Sequence, residues 1–297
     1  MELLRKGKVK EVYDFGDELL FRFTDNISVF DKIIPSQIPN KGKILCHTSA
    51  FWFEKIDGIG IKNHYLQCNN AEMKVKKFRI VERGSKNERD FLIPLEFIVR
   101  YYVAGSLYSR LKKGLISPDD IGFHRMPEYG EPLSDPMFEI TTKFEDYDRL
   151  VTTKEAMEIG GIDRHELLEI KEIILKIDKM MENEVKRRNL IHVDGKKEFA
   201  LNSERVPVVV DTFGTMDEDR WWDLKEYENG NIVQLSKEFV RDYYRSIGYY
   251  DLLMEARKRG AQEPKIPPLP ADMIERVKDL YEMMYERITG SQVSNLL

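Results

Sequence analysis

Alternating polar and apolar side chains mark the start of the chain. Residues 8–13 (KVKEVY) alternate in this way, Gly16 and Asp17 follow as turn residues, and residues 18–23 (ELLFRF) are again strand-like. A period of two around a glycine turn predicts a β-hairpin. Residues 74–83 and 91–103 also favour strands, whereas residues 44–56 (ILCHTSAFWFEKI) favour a helix. We therefore expect a β-rich lobe at the N-terminal end of the chain.

A helical period dominates the second half of the chain. Asp163 with Glu166 resembles a capping box. Apolar residues then recur every three or four positions, which indicates a helix that packs on a core. This stripe consists of Leu167, Ile170, Ile173, Ile174, Ile177, Met181 and Val185. Residues 236–260 and 271–290 predict two further helices, separated by the proline-rich linker 263–270.

Shorter signals predict the elements in the middle of the chain. Residues 104–114 (AGSLYSRLKKG) favour a short helix with Ser106 as its N-cap and Gly114 at its end. Segment 127–148 contains prolines and glycines, so we expect it to be rich in loops.

Apolar stretches at residues 190–194, 196–201 and 206–211 predict strands. If the strand continues through Gly195, then Asp194, Lys196 and Glu198 share one face. The alternative is a tight Asp-Gly hairpin turn. Strands first, then strands mixed with helices, predict an α+β protein. We expect two lobes, a β-rich lobe over residues 1–98 and a mixed α/β lobe with the C-terminal helices over residues 99–297.

Composition and charge narrow the class of protein. The chain has 297 residues and a net charge of −5, and an acidic surface argues against nucleic-acid binding. No stretch approaches the roughly 20 apolar residues of a membrane helix, and the N-terminus lacks the apolar segment of a signal peptide. Cys46 and Cys68 are not in a CxxC pair, so we interpret them as buried, reduced thiols. These features predict a cytoplasmic protein that does not bind membranes.

Two basic groups could bind anions. Lys8 and Lys10 would share one face of the first strand, with Gly7 beside them, and two ammonium groups suit a polyphosphate. The alternative is an edge strand that lysines protect from pairing. Arg100 precedes a strand-to-helix turn, and Ser106 opens the helix, where free N–H groups attract anions. Ordinary helix capping is the alternative for Ser106.

Carboxylates follow in the second half of the chain. Asp194, Lys196 and Glu198 would form an acid–base–acid ladder, and Asp211 ends a strand of valines. Magnesium prefers such oxygen ligands, and Arg220 could hold an anionic substrate. The alternative is that residues 217–222 (DEDRWW) begin a helix whose dipole favours the acids. The combination fits nucleotide-dependent phosphoryl transfer, although neither a P-loop nor the protein-kinase motifs are present.

The segments that contain these residues resemble those of a known family. Six segments match in order the phosphoribosylaminoimidazole-succinocarboxamide synthase (SAICAR synthetase) family. They are GKVKEVYD, TDNISVFDKIIPSQIPNKGKILCHTSAFWFEKI, IVRYYVAGSLYSRL, VDGKKEFAL, VVVDTFGTMDEDRWW and LSKEFVRDYY, and the C-terminal YERITG is also similar. The resemblance covers most of the chain. It implies a two-lobed fold in which the N-terminal lobe binds ATP and the C-terminal lobe binds substrate and metal around a cleft.

The resemblance also implies a reaction. The family joins L-aspartate to the carboxylate of CAIR, a carboxylated aminoimidazole ribonucleotide, with ATP and Mg²⁺. Phosphoryl transfer to that carboxylate would give an acyl phosphate, which the aspartate amine attacks. Small molecules are thus the expected partners, and a homo-oligomer is left open. The alternatives are a related ligase with another acid or amine, and a nucleotide-binding paralogue without activity.

Site residues follow by resemblance, segment by segment. ATP contacts are implied for Lys8, Lys10, Lys143, Glu198 and Asp211. Substrate contacts are implied for Arg100, Ser106, Asp148, Lys196, Arg220 and Arg241. Metal contacts are implied for Glu198, Asp211 and Asp194, and direct catalytic roles for Lys196, Asp211 and Arg220.

The match is not complete. Thr212 stands where the family has an acid after Asp211, and one extra residue separates Asp211 from Arg220. Tyr147 replaces a histidine of the family pattern, and the segment RLVT that begins at Arg149 also differs. These departures surround the metal and amine-donor side, so the number of carboxylates at the metal is an open question.

Overall fold

A computed structural model describes residues 1–145 and 148–296 of the chain. The strands are β1 Glu2–Lys6, β2 Lys10–Asp14, β3 Glu18–Phe23, β4 Asn26–Val29, β5 Lys32–Gln37, β6 Tyr65–Asn69, β7 Glu72–Lys76, β8 Arg79–Ile80, β9 Phe91–Leu92, β10 Leu95–Tyr102, β11 Pro132–Thr142, β12 Leu190–Leu201, β13 Pro207–Val210 and β14 Arg220–Asp223. The helices are α1 Lys41–Asp57, α2 Gly105–Lys112, α3 Thr153–Gly160, α4 Arg164–Lys186, α5 Leu224–Glu228, α6 Glu238–Ser246, α7 Tyr249–Arg259 and α8 Ala271–Thr289.

The first sheet has the strand order β1-β2-β3-β7-β6. The hairpin prediction is confirmed, because β2 and β3 pair antiparallel with Val12 opposite Phe21. Helix α1 lies where the pattern of residues 44–56 predicted one, and Trp52 and Phe53 are fully buried. Strand β6 is an edge strand whose sheet partner is β7, and α1 packs against it.

The second sheet has the order β11-β10-β12-β9-β8, and β13 and β14 also pair with β12. Strand β12 continues through Gly195, so the alternative of an Asp-Gly hairpin turn is wrong. Residues 220–223 form a strand rather than a helix start, so that alternative is wrong too. The loop-rich prediction for residues 127–148 missed β11, an eleven-residue strand that pairs with β10 and is buried over its last four residues.

The helices follow the sequence pattern with two exceptions. The capping box of α4 is confirmed, with the Asp163 side chain accepting from the Glu166 N–H and the Glu166 carboxylate accepting from the Asp163 N–H. Residues 236–260 form two helices, because Gly248 (φ 75°) starts a new helix axis. Ala104 is the N-cap of α2, so the N-cap prediction for Ser106 is wrong.

The α+β class is confirmed, with mixed sheets and helices throughout. Buried side chains from α1, β10, α4, β12 and α8 belong to one continuous core. Strand β10 crosses the predicted lobe boundary at residues 98 and 99, and the division into two lobes stays a prediction. Within the part of the chain that the structure describes, no helix has the length and apolarity needed to cross a membrane.

Candidate active site

Seven charged side chains meet at one end of the second sheet, and we call them the cleft cluster. They come from β2, from β10, from the segment after β11, from β12 and from the loop after β13. The members are Lys10, Glu96, Lys143, Lys196, Glu198, Asp211 and Glu218. Lysines and carboxylates alternate in space, so each ammonium group touches at least one acid.

Lys196 is the hub of this cluster. Its Nζ lies 2.7 Å from Glu96 Oε1, 3.1 Å from Glu198 Oε1 and 3.6 Å from Glu218 Oε2. Burial alone would lower the pKa of Lys196, but the Glu218, Glu198 and Glu96 carboxylates raise it well above its ordinary value. Lys196 therefore stays charged at neutral pH.

Asp211 connects the two sheets. It follows β13 in the left-handed region (φ 60°), and its carbonyl oxygen lies 3.1 Å from His64 Nε2. The carboxylate is ion-paired with Lys10 of the first sheet and lies 3.7 Å from Lys143 Nζ. Burial would raise the pKa of Asp211, but these lysines hold it far below its usual value. The aspartate is therefore a fixed negative charge at neutral pH.

Glu218 enters the cluster because both of its neighbours are held elsewhere. Residues 211–219 form a loop that we call the acidic loop. Asp217 accepts from Lys41 Nζ at 2.8 Å, and Asp219 accepts from the Gly214 N–H at 2.8 Å. With these carboxylates anchored, Glu218 turns towards Lys196, and its Oε1 lies 3.4 Å from Thr212 Oγ1. The loop thus presents a carboxylate beside Thr212.

A second group of charges lies next to the cleft cluster, and we call it the arginine group. Arg100 donates to Asp194 Oδ2 at 3.1 Å, and Arg220 also pairs with Asp194. Arg220 Nη2 lies 3.4 Å from Glu238 Oε2, to which Arg241 Nη1 donates at 2.8 Å. Asp194 and Lys196 are two residues apart on one strand, so β12 carries both groups on the same face.

Arg100 and Arg220 approach the start of α2. Arg100 Nη2 donates to Ser106 Oγ at 2.9 Å, so the serine contacts the arginine group instead of capping its own helix. A side chain at Gly105 (φ 53°) would collide with the Arg220 guanidinium, so only glycine allows this approach. Arg220 Nε is buried and has no hydrogen-bond partner among the described residues. It can therefore donate to a bound anion.

Two predicted residues lie away from their expected partners. Lys8 lies before β2 and pairs with Asp31 at 2.5 Å, so it does not share a strand face with Lys10. The premise of the Lys8–Lys10 prediction is therefore wrong. Asp194 is enclosed by two arginines and does not contact Glu198 or Asp211. We therefore do not include it in a metal site.

Of the remaining predicted site residues, the structure describes Lys143 and Asp148 but not Tyr147. Lys143 contacts Glu198 in the cleft cluster, and its contact with ATP stays a prediction. Asp148 is exposed and contributes to raising the pKa of Glu96, so it lies near the cleft cluster. Tyr147, which replaces a family histidine, lies outside the described residues.

Sequence reasoning missed three carboxylates of the site. Glu96 interrupts an apolar strand, and this was a usable signal because buried acids need partners. Glu238 begins α6, where the sequence suggests only a favourable helix dipole. Glu218 gave no signal of its own, because three consecutive acids do not reveal which of them points into a cleft.

The carboxylates suit a magnesium ion that is shared with a phosphate. Among residues 1–145 and 148–296, no three His, Cys, Asp or Glu side chains lie close enough to form a complete metal site. Lysines stand between the acids instead. Magnesium usually takes only one or two carboxylates and completes its shell with water and phosphate oxygens. Glu198 and Asp211, which both lie near Lys143, could supply such a pair of hard oxygen donors.

Comparison with known proteins identifies the family of the chain. A family model described as SAICAR synthetase matches residues 3–253. The phosphoribosylaminoimidazole-succinocarboxamide synthase of Thermoplasma acidophilum is 59% identical over 293 residues, which cover 98% of this chain and 100% of that protein. The SAICAR synthase of Saccharomyces cerevisiae, solved in complex with SAICAR, has a TM-score of 0.74 and 25% identity, covering 98% of this chain and 95% of that one. A SAICAR synthetase in complex with ADP shares the fold, with a TM-score of 0.70, 24% identity and coverage of 97% and 98%.

Proposed function

The chain belongs to the SAICAR synthetase family, and from this premise we propose that it is an ATP-dependent ligase of purine biosynthesis. It joins L-aspartate to the carboxylate of CAIR and releases SAICAR, ADP and phosphate. The observation that carries the proposal is the arrangement of side chains on β12. One face of this strand contacts both the arginine group and the cleft cluster. One strand thus serves an anionic substrate and a phosphoryl group at adjacent positions.

We propose that the arginine group binds CAIR. Arg220 and Arg241 both contact Glu238, and Arg100 contacts Asp194. These buried acids hold the three guanidinium groups in fixed orientations. Planar guanidinium groups hold phosphate or carboxylate through two parallel hydrogen bonds. The unpartnered Arg220 Nε supports a direct contact with the substrate. Ser106 joins this group through its hydrogen bond from Arg100.

We propose that Lys10 and Lys143 bind the phosphates of ATP. Both lysines form ion pairs with carboxylates, and a polyphosphate would compete with these carboxylates for the ammonium groups. Glu198 and Asp211 are then free to hold Mg²⁺, and Glu218 places a further carboxylate beside Thr212. When bound, Mg²⁺ neutralises phosphate charge in the transition state. Lys8 remains a candidate only for an outer contact.

The residues of the cleft mainly position charges for two successive steps. First, a carboxylate oxygen of CAIR attacks the γ-phosphorus of ATP, the bond to the ADP oxygen breaks, and an acyl phosphate forms. Next, the aspartate amine attacks the acyl carbon, phosphate leaves, and the amine loses a proton. Lys196 lies between the two groups, so it is placed to stabilise the negative charge that develops on the transferred group. Asp211 keeps Lys10 and Lys143 oriented towards the transferred phosphoryl group.

Purified protein tests the proposal directly. With ATP, Mg²⁺, CAIR and aspartate we expect ADP and the succinocarboxamide in equal amounts. With ¹⁸O in the CAIR carboxylate, the acyl-phosphate route requires that the released phosphate carries one ¹⁸O atom. ADP release without CAIR, absence of the amide, or unlabelled phosphate would each contradict the proposal.

Parallel reactions with other amino acids test the amine donor, since a donor preferred over aspartate would favour a related ligase. A cytoplasmic location, a homo-oligomer and the lack of nucleic-acid or membrane binding stay predictions.

A further inference from the structure

The two cysteines of the chain meet at a place outside the cleft. Cys46 lies in α1 and is fully buried, and Cys68 lies in the edge strand β6 and is half-buried. Their Sγ atoms are 3.1 Å apart, although 22 positions separate them in the sequence. Both cysteines are free thiols, as the sequence led us to expect, although Cys68 is only half-buried. The sulfurs are so close that a small side-chain movement brings them to bonding distance.

The surroundings distinguish the two thiols. The hydrogen bond from Cys46 lowers the pKa of the Cys68 thiol to about 6, burial opposes this, and His47 lowers it further. Burial instead raises the pKa of the Cys46 thiol far above its usual value. Cys68 is also the more exposed sulfur. A thiolate that solvent can reach is the nucleophile in thiol–disulfide exchange, so Cys68 is placed to react first.

We propose that Cys46 and Cys68 form a dithiol site that a low-molecular-weight disulfide oxidises to a cross-link between α1 and β6. The Cys68 thiolate attacks one sulfur of the small disulfide, whose S–S bond breaks, and one small thiolate leaves. The Cys46 sulfur then attacks the Cys68 sulfur of the mixed disulfide and gives up its proton. The second small thiolate leaves. The protein loses two electrons and two protons, and the small disulfide becomes two thiols.

The position of the cross-link indicates what it does. Strand β6 has hydrogen bonds to β7 on one side, and its other edge is unpaired among the described strands. Edge strands separate from a sheet more readily than central ones. A covalent bond to α1 ties this edge to a helix that packs on the first sheet and whose Trp52 and Phe53 are fully buried. It also removes conformational freedom from the unfolded chain.

Oxidised glutathione tests the proposal on the full chain. After reduction and removal of reductant, native protein is incubated with the disulfide and analysed by intact mass and thiol titration. We expect both thiols to disappear and the mass to fall by about 2 Da. Native protein that keeps both thiols, or that retains glutathione on Cys68, would overturn the proposal, provided that the urea-unfolded chain oxidises under the same conditions.

Two single variants separate the steps. Cys46→Ser leaves Cys68 without a second sulfur, so it should retain one glutathionyl group. Cys68→Ser leaves only the buried Cys46, which should remain unmodified. Glutathione on the Cys68→Ser variant and none on the Cys46→Ser variant would contradict the proposal that Cys68 attacks first. Thermal unfolding then measures the cross-link itself. Oxidised wild type should unfold roughly 5 °C or more above reduced wild type, and an unchanged Tm would overturn the role at β6.

Discussion

Strand β12 carries two clusters of charge on its opposite faces. The cleft cluster is reached by solvent, and the side chains of Asp211 and Lys196 are 27% and 25% exposed. On the other face, towards α4, lies what we call the sealed cluster, formed by Asp178, His192, Lys197 and Asp219. Its side chains are at most 1% exposed. A bulge after His192 places that residue on the same face as Lys197.

The partners in the two clusters also differ. In the sealed cluster, Lys197 Nζ lies 2.5 Å from Asp178 Oδ1, and His192 Nε2 lies 2.6 Å from Asp219 Oδ2. Lys197 and Asp178 thus form one pair and His192 and Asp219 form another, and none of these four side chains is more than 1% exposed. The cleft cluster has four carboxylates for three lysines and an open side. Burial of charge therefore does not identify an active site, whereas an unbalanced and accessible cluster indicates a place for a cation and a phosphate.

The largest effect is expected from breaking the sealed cluster. Lys197→Met leaves Asp178 as a buried charge without its partner, which should cost about 3–5 kcal/mol of unfolding free energy. Urea unfolding measures this loss, and Lys179→Met on the exposed face of α4 is the matched control. The kcat per folded molecule should stay close to wild type. A large loss of kcat with normal stability would show that the two clusters are not distinct in function.

The complementary change is in the cleft. Glu198→Gln removes a charge that orients Lys143 and Lys196 and is proposed to bind magnesium. We expect kcat/KM to fall on the order of 10²-fold and the Mg²⁺ concentration required for half-maximal rate to rise. Steady-state kinetics over a magnesium series measures both, with the exposed Glu204→Gln as control. Unaltered magnesium dependence would remove Glu198 from the metal site.

A milder change affects substrate binding beside the cleft cluster. Arg220→Ala should weaken CAIR binding by about 1–3 kcal/mol, as expected for a lost charged hydrogen bond. The Michaelis constant for CAIR should rise while that for ATP changes little. The conservative Arg220→Lys should recover only part of the loss, because an ammonium group cannot form two parallel hydrogen bonds. An unchanged constant for CAIR would contradict the role of Arg220.

Gly195→Ala tests the strand that both clusters share. A methyl group at this position would collide with the Asp219 carboxylate and approach His192 Nε2 at 2.8 Å. Forcing it in should cost about 1–3 kcal/mol and displace the acidic loop, so the KM for ATP should rise together with the loss of stability. Gly58→Ala, where the added methyl finds ordinary contacts, is the control. Loss of stability without any kinetic change would mean that Asp219 does not position the loop.

The smallest effect concerns pH. Burial raises the pKa of Glu96 to about 7, with Glu198 adding to the shift and Lys196 opposing it. Because the folded chain binds this proton more tightly than the unfolded chain, stability should fall as pH rises from about 4.5 to about 7. Glu96→Gln should reduce this fall, as measured by urea midpoints at pH 5 and pH 8 without magnesium. An equal fall in the variant would assign the pH dependence to other groups.

Local sequence patterns were sufficient where neighbouring residues decide the conformation. The hairpin around Gly16, the capping box of Asp163 with Glu166, and the strand of valines before Asp211 all follow from short periods and turn residues. The pattern of residues 127–148 was insufficient, because β11 is stabilised by its pairing with β10 rather than by its own composition. The strand patterns indicated Lys196 and Arg220, family resemblance added Lys143, and the structure brings all three to one region.

The sequence by itself therefore determined the class of fold, the capped helices and most of the charged residues around the cleft, since these depend on local periods and on motifs. Only the tertiary structure decided which charges face each other. The bulge after His192 sets which side of β12 each residue occupies, and the two anchored aspartates of the acidic loop direct Glu218 to the cleft. Long-range partners select these conformations. For this reason Asp194 proved to lie between arginines, while the Glu218 carboxylate lies beside Thr212.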